Sequence, residues 1–249
     1  MFENAIGYGS DYGSMGMSAS TLYWIIFIGV SIISWIVQRN LQSKYQKYSQ
    51  IRAYKGLTGK ETAEKMLADF GITDVSVQCI KGQLTDHYNP VDKTLNLSEG
   101  VFASNSIMAE AVAAHECGHA VQHAMVYGPL TLRSKLVPVV NISSKLMTWV
   151  ILGGMFVLSY TGSNVLLTIG VVLFACTTLF SLVTLPVEVD ASRRAINWLD
   201  SRGMTDSETQ GYAKSALKAA AYTYVVAALS SLATLFYYIM LMMSGSRRS

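Results

Sequence analysis

One long uncharged stretch constrains the fold of this chain more than any other feature of its sequence. No Asp, Glu, Lys or Arg occurs from Leu146 to Val187. A helix of that length would be about 60 Å long, roughly twice the ~30 Å thickness of a membrane's hydrocarbon core. The polar residues Thr161–Asn164 interrupt the stretch, so we predict two membrane helices, at 136–161 and 164–187. Lys145 would then extend its charge to the membrane surface or face protein.

Two further apolar segments have the length of a membrane helix. They lie at 17–37 and 219–243, and neither contains an acidic or basic residue. Only 14% of the whole chain is charged, against about 25% in a typical soluble domain. A soluble bundle of four buried helices is the alternative, but uncharged runs this long seldom fit a soluble core. We therefore predict a mainly α fold with multi-pass membrane helices.

The distribution of basic residues predicts how these helices are oriented. Lys and Arg cluster within Arg39–Lys60, directly after the first helix, and none precedes that helix. Basic residues are enriched in cytoplasmic loops, so we expect segments 38–135 and 188–218 on the cytoplasmic side of the membrane. No cleavage site follows the first helix, which indicates that it is retained. Arg247 and Arg248 oppose this orientation; the net charge of +3 is read as a topology signal, with no nucleic-acid partner.

The segment 38–135 has the patterns of a small α+β unit. Residues 75–80 and 93–98 alternate in polarity and predict strands, and a long helix follows the second strand. We predict a flexible N-terminus at 1–16 and a short tail at 244–249. The fold class expected for the chain is thus mainly α, with multi-pass membrane helices and a small cytoplasmic α+β portion.

A pair of histidines on the long helix predicts a metal site. His115 and His119 are four residues apart, so they lie on one face of a helix and can bind one zinc ion together. Glu116 is rotated about 100° from His115 and can act as general base toward a metal-bound water. Cys117 points away from that face. His123 lies about 12 Å along the axis from His115, too far to share the ion.

The third ligand is expected on the segment that follows the third membrane helix. Glu188 returns to the membrane face that holds the histidines, and a carboxylate beside apolar spans is costly unless it is paired or bound to metal. Asp190 is predicted to orient a ligand imidazole. If the chain unwinds after Pro186, the two carboxylates exchange roles. Alternatively, both pair only with Arg193 or Arg194.

The loop upstream of the metal helix contains further candidates for catalysis. His87 or Tyr88 could polarise the scissile carbonyl and stabilise the developing oxyanion. The alternative is a simple turn made by Asp86 and Asn89. We also expect the strand Lys93–Ser98 to pair along its edge with an extended peptide substrate.

Several stretches of the sequence, taken in order, resemble a known family. They are the N-terminal membrane helix, Leu84–Pro90, Lys93–Ser98, Ala114–His123 and Leu185–Ala195. In this combination nearly the whole chain is similar to the bacterial membrane-bound neutral zinc metallopeptidases of the YugP type. That resemblance implies a multi-pass inner-membrane protein whose two motif histidines hold zinc. A more distant likeness is to CAAX prenyl proteases and HtpX-type proteases, where a Glu-x-x-x-Asp pattern completes the site; here Ser192 stands at the aspartate spacing after Glu188.

Together these features predict an integral-membrane zinc metallopeptidase that acts on a protein or peptide substrate, with its active site in a zincin-like α+β portion on the cytoplasmic side. The zinc would be held by His115, His119 and Glu188, with Glu116 as base. A metal-stabilised membrane scaffold or regulator is the alternative, although a structural site has no use for a base beside an open position. A transporter fits less well, because the ionisable residues cluster at helix ends rather than in mid-membrane.

Overall fold

The computed structural model describes residues 19–245 of the chain. The elements in chain order are α1 (Ala19–Tyr48), α2 (Gly59–Asp69), β1 (Ser76–Ile80), β2 (His87–Asn89), β3 (Thr94–Ser98), α3 (Glu99–Phe102), α4 (Ile107–Ala124), α5 (Gly128–Thr161), α6 (Val165–Ser201) and α7 (Ser207–Gly245). The flexible segment predicted at 1–16 lies outside the described residues, as do residues 246–249 of the predicted tail at 244–249.

Four of these helices are long and apolar enough to cross a membrane. The qualifying segments are Trp24–Tyr48, Gly128–Thr161, Val165–Ser201 and Ser207–Met243. The break predicted at Thr161–Asn164 is the turn between α5 and α6, where Gly162 adopts a left-handed conformation (φ 73°) that favours glycine. The predicted mainly α fold, with four candidate membrane helices and a small sheet, is confirmed.

The long helices continue beyond the apolar segments predicted from sequence. α1 extends from the membrane segment predicted at 17–37 to Tyr48, and α6 passes Pro186 without a break. The segment predicted at 188–218 therefore comprises the end of α6, a turn and the start of α7. The continuation of α6 buries one face, whose residues recur every three or four positions: Glu188, Ala191, Ala195, Trp198 and Leu199.

Three short strands form a sheet in the order β1-β3-β2. β3 pairs in parallel with β1 and antiparallel with β2, where Tyr88 is opposite Leu95. Because β3 is the central strand, the expectation that Lys93–Ser98 offers a free edge to a substrate is wrong. The outer strand beside α4 is β2 (His87–Asn89).

Helix α4 lies within the larger hydrophobic core, and most of its residues are buried. Ser106 caps its N-terminus, where the side chain accepts a hydrogen bond from the Ala109 N–H (3.2 Å). On the side facing α2, the Cys117 thiol donates to the Ala63 carbonyl (3.5 Å). Elements surround α4 on several sides, so its middle section is held rigidly between α2, the sheet and α6.

Candidate metal centre

Helices α4 and α6 approach each other closely at Gly118. A Cβ atom at this position would lie 2.7 Å from the backbone oxygen of Ala191, so a larger residue would push the two helices apart. His115 and His119 flank Gly118 on α4, and Glu188 lies about one turn before Ala191 on α6. The glycine thus sets the distance across which the two imidazoles face the carboxylate.

Two imidazoles and one carboxylate meet at this crossing. Glu188 Oε2 lies 3.2 Å from His115 Nε2 and 3.5 Å from His119 Nε2. One donor atom from each of these three residues lies within 4.8 Å of the others. Two histidine nitrogens and a glutamate oxygen are a ligand set that zinc uses in catalytic sites, where a fourth position stays open for water. The residues present therefore fit a zinc ion.

The second oxygen of Glu188 faces a cation. Arg133 Nη1 on α5 lies 3.5 Å from Glu188 Oε1, and the carboxylate itself is only 3% exposed. A buried carboxylate without compensation would be costly, and here it has two imidazoles on one side and a guanidinium on the other. Tyr224 from α7 lines the same cavity as Arg133 and Glu188. Helix α6 thus places Glu188, the third predicted ligand, beside the histidines, and Arg133 of α5 compensates its negative charge.

Both histidine rings are held through the nitrogen that faces away from the cluster. His119 Nδ1 is hydrogen bonded to Gln122 Oε1 (3.0 Å), and Ser192 Oγ lies 3.1 Å from His115 Nδ1. These contacts orient each Nε2 toward Glu188. Polar partners of this kind fix the tautomer and the orientation of a metal-binding imidazole.

Asp190 takes part in this arrangement indirectly. It contacts neither histidine; instead Gln122 Nε2 donates to Asp190 Oδ2 (2.9 Å), and Gln122 links it to His119. Its carboxylate also pairs with Arg193 and Arg194. Two residues along a helix rotate a side chain by about 200°, so the unbroken α6 turns Asp190 away from the side that carries Glu188. Asp190 therefore supports the His119 imidazole through the side-chain amide of Gln122 rather than directly.

Charges around His119 affect its protonation. Burial lowers the pKa of His119, but the hydrogen bond that its ring donates to Glu188 and the charges of Glu116 and Glu188 outweigh burial and hold that pKa above its usual value. Cys117, on the other side of α4, is fully buried, and burial followed by the charge of Glu116 raises the pKa of its thiol. The thiol is therefore protonated at neutral pH. It is turned toward α2 and away from the candidate ligands, and the helical spacing had predicted that it points away from them.

Glu116 lines a cavity next to the cluster. The cavity has a volume of about 250 Å³ and is also lined by His87, Tyr88, His119 and Glu188. The Tyr88 N–H donates to Glu116 Oε2 (3.1 Å), so strand β2 holds this carboxylate in place. Glu116 and two of the three candidate ligands, His119 and Glu188, therefore share one open space.

The residues around His87 divide between turn formation and the cavity wall. Asp86 accepts hydrogen bonds from the Ser98 N–H (2.7 Å) and hydroxyl (3.1 Å), which ties β2 to β3. His87 Nδ1 lies 2.8 Å from the Thr85 carbonyl, and its ring is exposed at the cavity. The Tyr88 hydroxyl lies 2.8 Å from His123 Nδ1. His123 thus partners a tyrosine rather than the ligand cluster.

Four polar residues of the site had no role in the sequence-based interpretation. They are Gln122, Arg133, Ser192 and Tyr224. Weak signals for two of them were present: Gln122 lies one turn after His119, and Ser192 lies one turn after Glu188. Arg133 and Tyr224 reach the site only because α5 and α7 pack around it, which no spacing along the chain reveals.

Comparison with known proteins identifies the family of this chain. A family model described as "Putative neutral zinc metallopeptidase" matches residues 23–243. The chain is also 41% identical over 224 residues to the "Putative membrane protease YugP" of Bacillus subtilis (strain 168), an alignment that covers 90% of this chain and 98% of that protein. No solved structure matches the chain. The resemblance seen in the sequence is confirmed, and the chain belongs to the family of neutral zinc metallopeptidases.

Proposed function

We propose that this protein hydrolyses peptide bonds at a zinc ion held by His115, His119 and Glu188. The observation that carries the proposal is the position of Glu116, whose carboxylate lines the same open cavity as His119 and Glu188. Zinc bound there would supply a Lewis acid and an activated water. A scaffold or regulatory protein with structural zinc would need neither an open cavity nor a neighbouring base.

Glu116 is the proposed general base. One of its oxygens accepts the Tyr88 N–H, which fixes the carboxylate while it faces the cavity. In this role Glu116 removes a proton from the attacking water and returns it to the nitrogen of the leaving amine. Asp190 supports the reaction at a distance, because it holds Gln122 and thereby the ring of His119.

A hydrogen-bond donor is also needed for the carbonyl oxygen that becomes negative, and we assign this role to His87 or Tyr88. Both side chains line the cavity. His87 Nε2 has a long contact of 3.3 Å to Asn96, whereas the Tyr88 hydroxyl has a shorter one of 2.8 Å to His123. His87 Nδ1 lies 2.8 Å from the Thr85 carbonyl, which can only accept, so in a neutral ring Nδ1 carries the proton and Nε2 has none to donate. This favours the Tyr88 hydroxyl as the donor.

The substrate backbone is proposed to lie along β2. The Tyr88 N–H points away from β3 and toward Glu116, so the outer edge of this strand faces the base. Extended peptides commonly add to an exposed strand edge through main-chain hydrogen bonds. This places a protein or peptide substrate beside β2 rather than beside the central strand β3.

The proposed location is a bacterial inner membrane, with the active site on the cytoplasmic side. The basic residues that follow the first membrane helix support this orientation. In a variant without native cysteines, a cysteine in the 161–164 turn should react with an impermeant thiol reagent outside intact cells, whereas one at position 60 should not. The reverse pattern would place the site on the outer face.

The decisive experiment compares Glu116→Gln with Glu64→Gln in purified, zinc-loaded protein. Glu64 lies on α2 and its side chain is 53% exposed, so its substitution is a matched control. We expect Glu116→Gln to retain zinc and to lose about 10²–10⁴-fold in peptide turnover, whereas Glu64→Gln retains both. Normal turnover in Glu116→Gln would exclude this base. A zinc-loaded wild-type protein that cleaves no peptide of a diverse library would support the regulatory alternative.

A further inference from the structure

A second cavity also borders Glu116. Its volume is about 190 Å³, and it shares Asp86, Glu116 and Tyr224 with the first cavity. His115 also borders it. Most of its remaining wall is apolar and comes from α1, α4 and α7: Leu41, Met108, Val112, Ala216, Leu217 and Ala220. The candidate base and a candidate metal ligand thus line a mostly apolar space.

Small residues on α7 keep this space open. Ala216, Ala220 and Thr223 recur every three or four positions, so they lie on one face of the helix. Larger side chains at these positions would project into the cavity. Opposite them, Met108 is almost fully buried and Val112 is half-buried, so the α4 wall is well packed.

The two cavities differ in chemistry. The first contains Arg133, Ser134 and His87 beside His119 and Glu188, whereas most of the residues that line the second are apolar. Each alone is smaller than the ~300–1,000 Å³ of a typical ligand pocket, and together they reach that range. A peptide crossing Glu116 would direct one side chain toward each cavity.

We propose that the second cavity binds an apolar side chain of the substrate residue that adjoins the scissile bond. This inference rests on the proposed peptidase function, which it makes more specific. The occupant is assigned to the substrate because the cavity is continuous with Glu116 and His115, where the bond would be cleaved. Substrates with Gly at that residue would leave the apolar wall in contact with water and would be poor.

The test measures kcat/KM for matched peptides that carry Gly, Ala or Leu next to the cleaved bond. In wild-type protein the Leu peptide should exceed the Gly peptide by about 10–200-fold, the usual range for discrimination in an apolar pocket. Ala220→Leu should fill the cavity and reduce this preference about tenfold or more. Ala227→Leu makes the same change at an exposed position of α7 and should leave the preference intact.

A second variant, which enlarges the cavity instead of filling it, keeps the test valid if Ala220→Leu does not fold. Val112→Ala enlarges the cavity and should shift the preference from Leu toward Phe. Zinc content of each variant serves as the control for folding. An unchanged preference in both Ala220→Leu and Val112→Ala would overturn the assignment of this cavity.

Binding to the zinc-loaded Glu116→Gln protein separates failure of this inference from failure of the proposed function. Fluorescent Leu and Gly peptides should bind with different affinities there even though turnover is blocked. Equal binding together with equal wild-type cleavage would overturn the pocket and leave the peptidase function standing. Displacement of the Leu peptide by phospholipid alone would assign the cavity to an acyl chain. Neither cleavage nor binding of any peptide would overturn both proposals.

Discussion

Helix α6 makes two close crossings that differ in what they bury. Near Val165 it packs against α5, where a Cβ atom at Gly154 would lie 2.6 Å from the Leu167 backbone. Near Ala191 it packs against α4 at Gly118, with a similar distance of 2.7 Å. The α5 crossing encloses an apolar cluster around Ile151, whereas the α4 crossing encloses the candidate metal ligands.

The difference shows that a close helix crossing that encloses polar side chains needs a specific partner for each of them. The apolar crossing is complete once its side chains touch, because dispersion and lipid exclusion need no particular partner. In the polar crossing every buried group has an assigned contact: Ser192 for His115, Gln122 for His119 and Arg133 for Glu188. A change there removes a ligand or leaves a partner unsatisfied, which costs more than the lost contact itself.

The largest effect is expected for Glu188→Gln, which should empty the site. It removes a charged ligand and leaves Arg133 without its anion. Asp190→Asn, by contrast, should reduce zinc affinity only about 10–100-fold, because it acts through Gln122. Zinc retention at neutral pH against a chelator of known affinity measures both. A filled site in Glu188→Gln with an empty one in Asp190→Asn would exchange the two assignments.

Another carboxylate on α4 is buried without a hydrogen-bond partner among the described residues, so it tests how much such partners contribute to stability. Glu110 is fully buried, and neither of its oxygens has a hydrogen-bond partner within residues 19–245. Burial raises the pKa of Glu110 to about 7 from its ordinary 4.5. Between these values the folded protein holds one proton more than the unfolded chain, so stability falls as pH rises and stays low above pH 7.

We therefore expect Glu110→Gln, which stays neutral, to be more stable than wild type at pH 8 by an amount on the order of 3 kcal/mol. Near pH 4.5 the two proteins should be similar, because wild-type Glu110 is then protonated as well. Thermal unfolding in detergent at both pH values measures the difference. A gain in Tm of equal size at both values would show that this carboxyl does not titrate on folding.

The two glycines give the smallest effect and the most direct comparison. Gly118→Ala and Gly154→Ala each add one methyl group against backbone and should each cost about 1–3 kcal/mol of stability. Only Gly118→Ala should also weaken zinc binding, because it separates the histidines from Glu188. Melting temperature and zinc content, measured on the same samples, distinguish packing from site geometry. Equal zinc in both variants would mean that the α4–α6 distance does not control the site.

The sequence predicted those parts of the molecule that depend on one helix at a time. The spacing of His115 and His119 follows from helical geometry, and the uncharged stretch before Glu188 predicts the membrane helix that precedes it. Contacts between elements were not predictable in the same way. Gln122 and Ser192 acquire their roles from the angle at which α4 crosses α6.

Two further features, the place of β3 in the sheet and the contacts of Asp190, depend on interactions between elements that short stretches of sequence do not reveal. Lys93–Ser98 was correctly predicted as a strand, but its central place in the sheet follows from the short β2, whose three residues carry too little pattern to predict. Asp190 was expected beside an imidazole, yet the unbroken helix through Pro186 turns it toward Gln122 and two arginines. A proline alone does not reveal whether a helix ends or continues.

The unbroken course of α6 has a consequence for the depth of the site in the bilayer. Glu188 lies roughly 35 Å along the helix axis from Val165, slightly more than the ~30 Å thickness of a hydrocarbon core. With the α5–α6 turn at one surface of the membrane, the carboxylate proposed to bind zinc stands at the opposite surface, where headgroups and water begin. The proposed hydrolysis needs water, and the length of α6 places the Glu188 carboxylate in the first layer of the membrane that contains water.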